Sequence, residues 1–177
     1  MPLLTEYTCT ATPGRRVLEV YDADTYPDDT AILQTAEEQV VAGQRHHLYL
    51  VSLQPALKAQ VSIRVWDTVP QVPADAEGHV PLAIESQTGT LVVNELEFGP
   101  AGETNLPRPG VYEGHAWWRG RQAAGDYYDS YLEQDTEDWT LEQTRSYLAQ
   151  CPAGEHYVLD LAFLREPDPL DENEADR

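Results

Sequence analysis

The stretch GVYEGHAWWRGR, residues 110–121, brings together residue types from which sites are built: Glu113, His115, Trp117 and Arg119 fall at alternate positions. Alternate residues of a β-strand share a face, so these four form one row and Tyr112, Gly114, Ala116 and Trp118 the other. A carboxylate and an imidazole two residues apart on a strand can hold a metal or pass a proton. A metal site needs a third ligand, however, and His79 and His156 lie in separate segments without the paired short spacings of a zinc motif. His46 and His47 are adjacent and point to opposite faces of any strand. The run DADTYPDD opens like a calcium loop at Asp22 and Asp24. Tyr26, Pro27 and Leu33 then occupy the positions of a ligand, the turn glycine and the bidentate glutamate, so a solvated acidic turn is expected there. The chain contains no GxSxG elbow, phosphate loop or HExxH motif, and Cys151 followed by His156 matches no established nucleophile spacing. The opening stretch therefore reads first as a strand. Trp118 is expected in the core, Trp117 half exposed, and Glu113 paired with Arg119 or a charge across the sheet; no metal and no cofactor is expected.

Charge points elsewhere. The chain of 177 residues has 11 basic and 31 acidic side chains, a net charge of −20. Residues 19–38 hold seven acids and no base, residues 126–142 hold seven more and no base, and the tail 166–177 holds six with one arginine. Phosphate repulsion disfavours direct binding of nucleic acid, and anionic membranes are disfavoured in the same way. A basic protein is the natural partner of such a field. The N-terminus lacks a basic segment followed by an apolar run, so a cytoplasmic protein is expected, with Cys9 and Cys151 as reduced thiols.

Short apolar segments of period two must position these residues. RVLEVYD (16–22) places Leu18 and Val20 on one face, and HHLYLVSL (46–53) fits an interior strand buried on both. AQVSIRVW (59–66) sets Val61, Ile63 and Val65 against Gln60, Ser62, Arg64 and Trp66, while GTLVVNELEF (89–98) and EHYVLDLAFLR (155–165) continue the pattern. Pro- and Gly-rich stretches at 69–81 and 99–110 separate them. Residues 28–43 suit a helix or two strand pieces. Residues 140–151 suit a helix, with Thr140 and Gln143 as a capping box and Leu141, Tyr147, Leu148 and Cys151 on one face.

The segment LPRPGVYEGHAWWRGR also resembles a recurring element of small bacterial β-sandwich proteins related to the competence nuclease inhibitor family. Leu106, Pro107, Gly110 and Tyr112 match the turn that opens its strand, Arg119, Gly120 and Arg121 the corner that closes it, and Tyr157 to Leu161 a late apolar strand. The chain departs from that pattern at Pro109, in an insertion over 122–154, and in ending its last strand with FLREP instead of tryptophan–proline. The resemblance implies a β-sandwich and an inhibitor or immunity role.

The expectation is one mainly-β domain over residues 1–165: an antiparallel sandwich or open barrel with one or two short helices, an acidic helical insertion at about 122–154, and a disordered acidic tail over 166–177. The function expected is that of a non-enzymatic acidic binding protein for a basic partner. Glu133, Asp135, Glu137, Asp138 and Trp139 form the expected contact surface, because they combine dense charge with an aromatic anchor. Two other readings stand beside it: a small enzyme or ligand-binding sandwich using Glu113, His115, Trp117 and Arg119, and a structural subunit of a larger assembly. A deep polar pocket at His115 favours the first of these; a flat acidic face around Trp139 favours the binder.

Overall fold

The computed structural model describes residues 2–25 and 31–169. Two five-stranded sheets face each other. The first has the order β1 (Leu3–Ala11), β5 (Ala59–Trp66), β10 (His156–Arg165), β9 (Gly110–Arg119), β6 (Gly78–Ser86). Its neighbours are antiparallel except β5 and β10, which run parallel. The second has the order β3 (Val41–Gln44), β4 (His47–Val51), β2 (Val17–Asp22), β7 (Thr90–Glu95), β8 (Gly99–Asn105), and is antiparallel throughout. β1 approaches β8 at one margin and β6 approaches β3 at the other, but neither pair is joined in a sheet, so the sandwich does not close into a barrel.

The alternation that marks the strands also sorts the core. Leu18, Val20, Leu48, Leu50, Val61, Ile63, Val65, Leu91, Val93, Tyr157, Leu159 and Leu161 meet between the sheets, joined by Tyr112 and Trp118. Interior strand β4 is buried at all five positions because its outer face is covered as well. Helix α1 (Ala31–Gln39) lays Ile32, Leu33 and Ala36 on Val17, Tyr49 and Val51. Residues 28–43 thus split between helix α1 and strand β3, with Tyr26–Thr30 outside the described residues. Beside α1, His47 Nε2 lies 2.9 Å from Glu19 Oε2 without the alignment of a hydrogen bond.

Asp22 corrects the expected solvated turn. It is fully buried, and its Oδ1 accepts from the hydroxyls of Ser86 and Thr88, clamping the β6–β7 turn. The tail divides too. The Asp168 amide donates to Glu85 Oε1 and its carbonyl accepts from Gln87 Nε2, which lays the first tail residues on the body, whereas residues 170–177 lie outside the described part. Cys9 and Cys151 are free thiols. No helix among the described residues is long and apolar enough to cross a membrane.

At one end of the sandwich a polar network anchors the start of β10. Glu155 is 2% exposed and accepts from Ser52 Oγ at 2.6 Å, Gln54 Nε2 at 2.8 Å and the Tyr157 hydroxyl. Burial raises its carboxyl above the ordinary glutamate value, with the three hydrogen bonds pulling the other way. Between the ordinary and the raised value the folded protein holds a proton that the unfolded chain has released, so this group lowers stability as pH rises. Glu155→Gln is expected to remove that component. Urea unfolding from pH 4 to 7 should show a more negative slope of stability with pH in the wild type than in the variant; equal slopes would show that Glu155 ionises normally.

Candidate functional site

Two regions carry the residues expected to act: a helical arm between β9 and β10, and the outer face of the first sheet. The arm begins at Gly120, whose φ of +72° is open to glycine and whose added Cβ would lie 2.4 Å from the Gly154 carbonyl. Only a residue without a side chain lets the outgoing and returning segments meet so closely. Gly120 cannot cap helix α2 (Arg121–Leu132) with a side chain, and Glu77 of the β5–β6 loop does so from a distance, accepting from the Arg121 and Gln122 amides. Arg121 Nε also donates to the Val51 carbonyl at 2.8 Å. Ala124 and Gly125 are the buried residues of α2; beyond them it leaves the body.

Helix α3 (Leu141–Ala149) returns, opened by the expected capping box of Thr140 and Gln143, and buries none of its residues. Aromatic rings tie the two helices together instead. Tyr127 stacks on Tyr147 at 5.1 Å between centroids, and Trp139 lies 5.5 Å from Tyr147 and 6.2 Å from Tyr131. Around this cluster Glu133, Asp135, Glu137 and Asp138 are exposed. Trp139 is half-buried, partly committed to the arm's own packing. The open apolar side chains are Leu132, 58% exposed, and Leu141, 66% exposed. Helical periodicity sets Leu141 on one face with Tyr147, Leu148 and Cys151, and α3 meets too little of the body to cover it.

On the first sheet, Glu113, His115, Trp117 and Arg119 do share the outer face, but they do not form a solvated row. Trp117 is 3% exposed. The register sets Arg64, Asp160 and His115 side by side on β5, β10 and β9. Asp160 is fully buried and accepts four hydrogen bonds: Arg64 Nε (2.8 Å) and Trp66 Nε1 (2.7 Å) on Oδ1, Arg64 Nη2 (2.9 Å) and Trp117 Nε1 (2.8 Å) on Oδ2. The Arg119 guanidinium lies 4.6 Å over the Trp117 ring and pairs with Asp75 rather than Glu113. Alternation named the right face but could not show that arginines and tryptophans close over it. Asp160 and Arg64 are the central residues missed; an aspartate inside the apolar run YVLDLAF was the available signal.

Chemically, Asp160 is saturated. Its four lone-pair positions are taken, so it is not free to act as a base. His115 Nε2 approaches to 3.6 Å without hydrogen-bonding it, and burial lowers the imidazole's pKa against the opposing pull of Asp160, leaving the ring neutral near pH 7. His156 receives or donates a 2.7 Å hydrogen bond with Ser62, and burial followed by Arg119 and Arg64 keeps it neutral as well. No group of three or more potential ligands is placed to hold a metal among the described residues. Glu113 alone of the row is exposed; with His115 it borders an open groove of about 940 Å3 beneath the β5–β6 loop.

These features define a two-sheet, mainly-β sandwich with a helical arm. The same fold is seen in the crystal structure of ComJ, inhibitor of the DNA degrading activity of NucA, from Bacillus subtilis, at a TM-score of 0.58 and 12% identity over 92% of this chain and 98% of that one. It is seen also in the structure of Crocagin biosynthetic gene J, at a TM-score of 0.54 and 14% identity over 92% of this chain and 100% of the other. The resemblance carried by residues 106–121 therefore holds at the level of the whole fold. No family model and no curated protein matches the sequence.

Proposed function

We propose that this protein is an inhibitor-type binding module whose helical arm docks a basic protein. The arm carries the reading: seven acids and no base over residues 126–142 surround two open leucines on an aromatic frame that the body does not cover. Charge of this density accelerates encounter with a basic surface, and apolar anchors slow dissociation. The likeness in fold to ComJ supports a protein partner of the nuclease kind, whose phosphate-binding surface is itself basic.

Affinity capture from the source cells at low and high salt tests it. Changing Glu133, Asp135, Glu137 and Asp138 to their amides is expected to weaken capture of the basic partner about tenfold at low salt and to flatten its salt dependence. Leu132→Ser with Leu141→Ser is expected to weaken capture at both salt concentrations, as is Trp139→Ala, by ~2 kcal/mol if the indole reaches the partner. Circular dichroism of each variant separates lost contact from a lost arm. Full capture by the amide and leucine variants alike would reduce the arm to a solubilising surface.

A further inference from the structure

Helix α1 covers the outer face of the second sheet at β3 and β4, and the outer face of the first is sealed around Asp160. The groove beside Glu113 is an open concave surface among the described residues. Asp67 and Glu113 are its charged residues, and no lysine or arginine lines it. Arg64 is committed to the buried carboxylate of Asp160 by two hydrogen bonds, and the Arg108 guanidinium lies 3.5 Å over the ring of Phe163, one of the lining residues. Val69, Pro70 and Val72 of the β5–β6 loop and Pro81 of β6 supply apolar walls, and His115 adds an uncharged ring. Such a lining favours a cation on an apolar stem. It is less suited to an added strand, because Pro81, in the middle of edge strand β6, offers no N–H.

We propose that this groove receives one arginine side chain presented by a protein partner, its guanidinium held by Asp67 and Glu113 and its stem laid on the valine and proline walls. Arginine suits the site better than lysine: its planar, weakly hydrated head pairs with carboxylates in fixed geometry and stacks on flat rings. The inference rests on the proposed function only in naming a protein as the source of the side chain. Glu113 and the arm root at Arg119 are six residues apart on β9, roughly 20 Å, so groove and arm form separate contacts.

The test uses the whole chain, isotope-labelled, titrated with N-acetylarginine methylamide and followed by amide chemical shifts. Saturable shifts at Ala83, Glu113 and His115 are expected, with the uncharged citrulline counterpart producing none. The Asp67→Asn, Glu113→Gln double variant is expected to bind about tenfold more weakly, two exposed charge pairs being lost together. The arm amide variant is expected to titrate like the wild type, so failure of the arm to capture a partner and failure of the groove to take arginine are distinguishable. Equal response to citrulline, unchanged affinity in the double variant, or shifts confined to other surfaces would overturn the proposal.

Discussion

Asp160→Ala is expected to destabilise the protein by ~3–5 kcal/mol, measured as a lower urea midpoint at an unchanged slope. The carboxylate is fully buried, and its removal leaves the Arg64 guanidinium and the indole N–H groups of Trp66 and Trp117 facing a void. The cost is that of stranding the part-buried Arg64 charge and two indole donors, not the net worth of the pair. Asp160→Leu combined with Arg64→Met is therefore expected to recover part of the loss, since both charges leave together. The acid limb supplies a second check. Burial opposes the charged form of Asp160, but the hydrogen bonds from Arg64, Trp117 and Trp66 outweigh it and hold the carboxyl below the ordinary aspartate value. Its stabilising contribution is complete above the ordinary value and is lost as pH falls through the lowered one. The difference in stability between wild type and Asp160→Asn should accordingly shrink in strong acid. A loss below ~1 kcal/mol in Asp160→Ala at pH 7 would mean that water reaches the face and already satisfies these donors.

Asp160 marks where sequence patterning stops being informative. Strands β2, β4, β5, β7, β9 and β10 announce themselves because each carries a run of apolar residues at period two or a run buried on both faces. Strands β1, β6 and β8 do not. Each borders a sheet, and their sequences are LLTEYTCTA, GHVPLAIES and GPAGETN, where a strand hydrogen-bonded on one side tolerates threonine, glycine and proline. The last lay in a stretch dense in turn residues. The arm was legible in part. The Thr140–Gln143 box marks the start of α3 within a four-residue window, and the acidic residues follow from composition. What caps α2 is Glu77, some 44 positions away, and no local pattern can report it. The same holds for the groove, whose wall and floor come from segments distant in sequence. Register decides these placements, and a single chain shows its alternation but not its register.

The adjacent tryptophans of the opening stretch test that register directly, and here the structure alters what alternation suggests. Trp118 belongs to the core between the sheets, so Trp118→Ala is expected to cost ~3–5 kcal/mol through the cavity it leaves. Alternation assigns Trp117 to the opposite face, where a substitution would be cheap if that face were wet. The ring is buried instead, held between the guanidinium groups of Arg64 at 5.7 Å and Arg119 at 4.6 Å, with its N–H on Asp160. Trp117→Ala is thus expected to cost a comparable ~3–5 kcal/mol, from lost burial, lost cation–π contact and one fewer donor to the carboxylate. Trp117→Phe separates these causes. It keeps most of the apolar surface and a ring for the arginines, and removes the N–H, so a loss of ~1.5–3 kcal/mol is expected. That loss should nearly vanish when Asp160 is already alanine, because the two substitutions remove the same hydrogen bond. Additive losses in the double variant would show that Trp117 and Asp160 act independently, and a Trp117→Ala loss below ~1 kcal/mol would return the outer face to solvent.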